Sequence, residues 1–304
     1  MNSIALFIIA SLIWGTTWIA ITFQLGDVAP EASVSYRFAI ASIGMLIIAK
    51  WQRVDIRVSW RTQLWMALLG LFYTINYISV YRAEAEISSG LVAVAGSGIL
   101  FFNIVLSRVL FGYLITRQLA IGSLLGLAGI AVLFAPDLIA FEPRYAIGVS
   151  FAIVAALAAS SANMVAVKNG NAGHSIITTN VWWMIWCTVF TALAVPLTGN
   201  SFSFSWEPSY LASLFYLAIF GSIVAFTSYL SLMKNVGPSK AGYIAVITPV
   251  LALLISTVFE DLVWKSTDYL GVLLIIIGQV VIFKRKAVTP LPDDRPHNDS
   301  SKVM

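Results

Sequence analysis

Apolar residues run along this chain in ten long blocks, each bounded by a short polar or charged stretch. The blocks fall near residues 3–23, 33–50, 63–81, 88–110, 117–135, 146–167, 176–197, 209–232, 240–259 and 267–284. Each is long enough at the helical rise to cross about 30 Å of hydrocarbon. A helix is also the open-chain form that satisfies its own backbone in lipid. The pattern therefore predicts an all-α polytopic membrane protein with ten transmembrane helices. Connections are short and leave no room for a soluble domain. The stretch after Ala287, rich in Pro, Asp and Ser, is expected to be disordered.

The pattern occurs twice. Tyr77, Gly90, Ala93-Val94, Gly122 and Gly129 recur as Tyr229, Gly242, Ala245-Val246, Gly271 and Gly278. The offset is 152 from Tyr77 to Tyr229 and 149 from Gly122 to Gly271, so one short gap separates the copies. Each copy holds five blocks, an odd number, so the second must enter the membrane in the opposite direction. Two inverted five-helix repeats are expected, at 1–140 and 141–286, followed by a cytoplasmic tail at 287–304. Inverted repeats are a construction principle of secondary transporters, with the ligand site at the midplane between the halves.

Composition agrees. At 59% hydrophobic and 11% charged, with a mean hydropathy of +0.88, the chain has far fewer charges than a soluble domain, which carries about 25%. The charges also orient it. The even-numbered loops and the tail hold 14 of the 18 Lys and Arg; the odd-numbered loops hold Arg82, Arg144 and Lys265, and Arg37 lies inside a span. The positive-inside rule then places both termini in the cytoplasm. Residues Met1 to Ile13 carry no charge and their apolar run continues past Trp18, so this is read as a retained span, not a signal peptide. The net charge of +4 sits mainly in loops on one side and implies no nucleic-acid partner. The acids of the other side, among them Glu31, Glu84, Glu86 and Glu260, are read as a solvated face. A single cysteine, Cys187, excludes an internal disulfide and is read as packing within an apolar run.

Arg37 is the one formal charge well inside a span. A charge there must face a cavity or a partner. Two readings stay open: capture of a ligand carboxylate by the guanidinium fork, or a structural role, snorkelling outward to loop carbonyls or to Glu84 or Glu86. The third span places Tyr73, Tyr77 and Tyr81 on one helical stripe with Asn76 beside them; the first offers Ser11, Trp14 and Trp18. Phenols at membrane depth need hydrogen-bond partners, so these stripes are expected to wall a shared amphipathic cavity. Gly96-Ser97-Gly98 in the fourth span corresponds to Thr248-Pro249-Val250 in the ninth. Matched interruptions of this kind point to a transporter site. Helix breaks are expected at Gly96, Gly98 and Pro249, with Ser97 and Thr248 exposed to ligand. Asn163 and Tyr229 are further candidates for polar contact. Gly122, Gly126 and Gly129, with Gly271 and Gly278, are expected to be packing struts; Trp182, Trp183 and Trp186 are read as packing or lipid-facing. The chain has no cluster of His, Cys and carboxylates and no phosphate-binding loop, which argues against an enzyme, a metal, a cofactor or direct use of ATP. No Asp or Glu lies deep in a span, so proton coupling would have to use peripheral acids.

Several stretches resemble the EamA-type members of the drug/metabolite transporter superfamily. Ile13-Trp14-Gly15-Thr16-Thr17 is similar to the family's opening motif, and Tyr36-Arg37-Phe38 to its second-span element. The segment Tyr229-Leu-Ser-Leu-Met-Lys-Asn-Val-Gly-Pro-Ser-Lys-Ala-Gly242, with Thr248-Pro249-Val250 and Phe259-Glu260, resembles its most recognisable part. The likeness covers about residues 3–285. It implies two five-helix bundles around a central cavity, and export or exchange of amino acids, related metabolites or drugs across a bacterial cytoplasmic (inner) membrane. Three departures stand out: Tyr113 follows Gly112 where such proteins carry an acid, Ser160 stands where many have Trp, and Asp261 follows Glu260 with no Gly before the pair. The missing Trp implies a larger cavity wall. The expected partners are a small amphipathic substrate and the bilayer. A monomer is expected, with a dimer as the alternative. A passive channel-like facilitator or an importer of a small metabolite in the same fold is the alternative function.

Overall fold

A computed structural model describes residues 2–139, 142–171, 173–236, 241 and 243–283. Gly242 and the expected tail at 287–304 lie outside them. Among the described residues all regular structure is helical. The elements are α1 (Ser3–Thr22), α2 (Pro30–Trp51), α3 (Trp60–Glu84), α4 (Ser89–Gly96), α5 (Ile99–Phe111), α6 (Arg117–Ile139), α7 (Pro143–Asn171), α8 (Ile176–Leu197), α9 (Pro208–Phe215), a π-helical stretch (Tyr216–Val224), α10 (Ala225–Val236), α11 (Ile244–Phe259) and α12 (Ser266–Phe283). Among the described residues eight spans are long and apolar enough to cross a membrane, with α4 and α5 counted as one and the run from Pro208 to Tyr229 as another. The two shorter apolar helices, α11 and α12, bring the total to ten.

Local chemistry fixes the ends. Side chains of Asn2, Ser59 and Ser175 each accept a hydrogen bond from a backbone N–H of the first turn they precede. Pro30 and Pro208 open α2 and α9, where a missing N–H costs nothing. Gly112, at φ +72°, closes α5 in the left-handed conformation. Large apolar side chains such as Ile43, Ile47, Leu64, Leu193 and Leu273 point outward from the bundle, as lipid contact requires. Trp51 and Trp60, at adjoining helix ends, are 82% and 68% exposed, matching an interfacial belt.

The spans pack in pairs. α1 lies on α11 as α7 lies on α4 and α5; α3 lies on α7 as α1 lies on α10; α2 meets the π stretch as α3 meets α8; and α2–α8, α4–α11 and α6–α12 also pack together. When every span is exchanged with the one five places along, the first three pairings map onto their named counterparts and the last three onto themselves. The α6–α12 contact is reciprocal at atomic level. A Cβ on Gly122 would stand 2.7 Å from the Gly278 carbonyl oxygen, and one on Gly278 would stand 2.5 Å from that of Gly122. Gly129 and Gly271 repeat the arrangement at 2.5 and 2.7 Å. Only glycine allows backbones this close.

Two features depart from the sequence reading. The break at Gly96-Ser97-Gly98 is present: α4 stops at Gly96 and α5 starts at Ile99, while the Ser97 hydroxyl and N–H and the Gly98 N–H all bond three residues back. Pro249, however, breaks nothing. It sits one turn into α11, so the bond it removes, to Ala245, lies at the start of the helix, and the rest continues to Phe259. The second half is irregular elsewhere, in the π-helical stretch, where no proline or glycine pair marks the sequence.

Candidate functional site

A cavity of about 280 Å³ lies inside the bundle. Its wall comes from α1 (Trp14, Thr17, Trp18, Ile21), α2 (Arg37), α3 (Asn76, Tyr77, Val80), the broken span (Val92, Gly96, Ile99), α7 (Ala152, Ala155, Ala156, Ala159) and α10 (Phe226). The volume is at the small end of ligand pockets, which run from about 300 to 1,000 Å³. Most of the wall is apolar, with polar groups gathered around Arg37. The four alanines recur at i, i+3, i+4 and i+7, so one face of α7 presents only methyl groups and leaves the space open. Gly96 has the same effect opposite: a Cβ there would lie 3.4 Å from the Trp18 ring.

Arg37 dominates the polar side. It lies seven residues into α2, roughly 10 Å along the axis, and is 2% exposed. Its Nε donates to Ser222 Oγ at 3.2 Å, and its guanidinium stands 4.8 Å from the centre of the Tyr77 ring. Its Nη1 has no hydrogen-bond partner among the described residues. Arg37 therefore does not snorkel to loop carbonyls, and neither Glu84 nor Glu86 forms an ion pair with it; the ion pair at this end of the bundle joins Arg82 to Glu31.

The π stretch explains this placement. Within it the Ser222 side-chain hydroxyl donates to the Leu217 carbonyl at 3.0 Å, which leaves the hydroxyl oxygen to accept from Arg37. The widened backbone also offers the Gly221 carbonyl to Trp14 Nε1 at 3.3 Å, and Tyr216 meets Thr16 at 2.5 Å. α1 is thereby tied to the eighth span at the cavity. Irregular turns of this kind concentrate at functional sites.

The candidates separate into two groups. Trp14, Trp18, Arg37, Asn76, Tyr77 and Gly96 line the cavity. Asn76 is already committed there, its Nδ2 donating to the Ala155 carbonyl at 2.9 Å. The others lie elsewhere. Tyr73 packs against Trp183 with ring centres 4.3 Å apart, and Tyr81 donates to Gln24 at 2.7 Å, so the tyrosine stripe touches the cavity at one residue only. A stripe spans several turns, and a compact cavity meets one of them. Tyr229 packs behind Trp14, ring centres 5.2 Å apart, instead of facing the cavity. Ser97 and Gly98 face a smaller space toward α6 and α12. Asn163 and Ser160 both donate to Asn103 Oδ1, at 3.3 and 2.8 Å. Thr248 is buried without a partner for its hydroxyl among the described residues, and Pro249 is buried beside it; neither reaches the cavity. Gly15 admits Leu251 of α11, not a ligand. Cys187 and Trp183 are core residues.

Sequence reasoning missed Ser222, Thr17, Phe226 and the alanine face. The alanine spacing was readable, but alanine signals nothing chemically. Glu84, assigned to a solvated face, is 7% exposed.

A small cavity with an apolar body and one polar edge, enclosed in a ten-helix apolar bundle, defines a multi-pass membrane transporter. The comparisons place it further. The EamA-like transporter family matches residues 1–135 and 146–284, and the chain belongs to that family. It is 27% identical over 285 residues to the inner membrane transporter YedA of Escherichia coli K12, covering 92% of this chain and 90% of that one. It is 25% identical over 289 residues to the protein PecM of Dickeya dadantii (93% and 94% covered) and 25% identical over 311 to the protein PagO of Salmonella typhimurium (97% and 96%). The chain is similar in fold to a solved crystal structure, with a TM-score of 0.67 at 19% identity over 92% of this chain and 96% of that chain.

Proposed function

We propose that this transporter is a secondary carrier that exports a small amphipathic metabolite with a carboxylate group, an amino acid or close relative, across a bacterial inner membrane by alternating access. The observation that carries this reading is Arg37. A buried cation with an unsatisfied N–H is costly unless a ligand completes it. A carboxylate matches the guanidinium in charge and shape. Trp14, Trp18, Tyr77 and Phe226 supply the apolar contact for a side chain, and a cavity of about 280 Å³ limits the ligand to a single small molecule.

The two-fold pattern of helix packing supports an inverted pair of halves, 1–140 and 141–286, rocking about this cavity. The interrupted α4–α5 span and the π stretch are the elements suited to bend. Export follows the resemblance, and the inner-membrane location follows that of the E. coli transporter YedA.

The test has two stages. Spent medium from overexpressing cells is screened for metabolites in excess, and the metabolite found is assayed for counterflow in proteoliposomes. Accumulation of label against a preloaded unlabelled pool supports a carrier. Equilibration without overshoot makes the protein a channel-like facilitator.

A further inference from the structure

We propose that the small space behind the Gly96–Gly98 break is a binding site for one structural water molecule, held between Gln279 of α12 and the serines of the break and of α6. The site is separate from the cavity and does not rest on the ligand reading above.

Gln279 is the residue that calls for a ligand. It sits beside Gly278 in the α6–α12 seam, where the backbones pack glycine to glycine. It is 3% exposed, and neither its Nε2 nor its Oε1 has a hydrogen-bond partner among the described residues. A buried amide left unpaired is destabilising, whereas an apolar side chain of the same shape carries no such cost. The matched position in the first repeat, at the offset of 149, is Ile130, and it lines the same space. The seam therefore takes an apolar residue at one of two equivalent places and an amide at the other.

The space that Gln279 borders measures about 20 Å³. One water needs about 10–15 Å³ on this measure, so the space admits one water and nothing larger. Ser97 and Gly98 of the break, with Ser123 and Gly126 of α6, form part of its wall. A Cβ on Gly126 would meet nothing within 4 Å. Both hydroxyl protons are already committed: Ser97 donates to the Val94 carbonyl at 2.6 Å, and Ser123 to the Leu119 carbonyl at 2.7 Å. Each oxygen keeps a lone pair with which to accept. The wall thus offers two acceptors and an amide that can donate or accept. Water, a double donor that also accepts, complements this set. A cation does not, since three side-chain oxygens in a largely apolar wall leave its charge and its coordination unmet.

The location gives the water a role. Gly96 faces the cavity, and the next two residues face this space. At the break the N–H groups of Ser97, Gly98 and Leu100 each bond three residues back. Ordered water is one of the means by which an interrupted membrane helix keeps its polar groups satisfied. A water bridge is nearly as strong as a direct hydrogen bond. From Ser97 to Gln279 it ties the break to the α6–α12 seam, and it can change partners when the span bends.

A crystallographic or electron cryomicroscopy map of the full chain, at a resolution that shows ordered water, tests the site. Wild type should show one peak within about 2.7–3.2 Å of the Gln279 amide and of a serine oxygen, Ser97 or Ser123. Gln279→Met, unbranched and without an amide, should lose the peak while α12 keeps its place. No peak in wild type, or a Gln279 amide bonded directly to protein, overturns the proposal whether or not the variant folds. A peak that survives in Gln279→Met also overturns it, because the serines would then hold the water without the amide. A peak ringed by six or more oxygens marks a metal ion and overturns it as well.

Discussion

Arg37 is the residue at which sequence and structure meet most closely. Its isolation in an apolar span marked it, but the chain alone could not decide between snorkelling and ligand capture. The feature that holds Arg37 inward, against snorkelling, is Ser222, 185 positions away, whose hydroxyl in a π-helical turn accepts from Arg37 Nε. Arg37→Lys should keep the charge and the fold. Lysine is a point charge, unable to hold Ser222 and a carboxylate through separate N–H groups. The apparent affinity for a carboxylate substrate should fall about tenfold, or about 1.4 kcal/mol, in a transport assay. Unchanged affinity would leave Arg37 as a structural residue only.

At the scale of elements, the ten spans and the Gly96–Gly98 break were legible because hydrophobic runs and glycine pairs act locally. Pro249 misled for a physical reason: proline is disruptive in a helix interior and mild in the first turns, and helix starts are poorly marked in continuous apolar sequence. The π stretch carries no local signal. The glycine struts were legible as a set but not one by one, since only the packed bundle shows which faces meet. Gly122 and Gly129 press on α12, whereas a Cβ on Gly126 would meet nothing within 4 Å. Gly129→Ala should therefore destabilise the protein by about 1–3 kcal/mol through forced separation of α6 and α12. Gly126→Ala should be neutral or add up to about 1 kcal/mol through helix propensity. Thermal unfolding in detergent compares the two; equal losses would contradict the close packing described.

For the whole molecule, loop charges predict both termini on the cytoplasmic side. A cysteine introduced as Ser201→Cys, in a background lacking Cys187, should react with an impermeant thiol reagent in intact cells, and one introduced as Asn171→Cys should not. The reverse pattern would invert the topology. The cavity as a whole was half legible. Aromatic and charged members announce themselves in sequence, while the alanine face of α7 and the bulk of its apolar lining look like any membrane core. That cavity is the centre of the account, and substrate protection tests it most directly. Ala156→Cys, again without Cys187, places a small thiol on the α7 wall, away from the hydrogen bonds that hold the site. Saturation with the metabolite identified in spent medium should slow its reaction with a small permeant thiol reagent several-fold, as occupancy of the pocket requires. Equal reaction rates with and without that metabolite, in a variant that still transports it, would place the substrate path elsewhere.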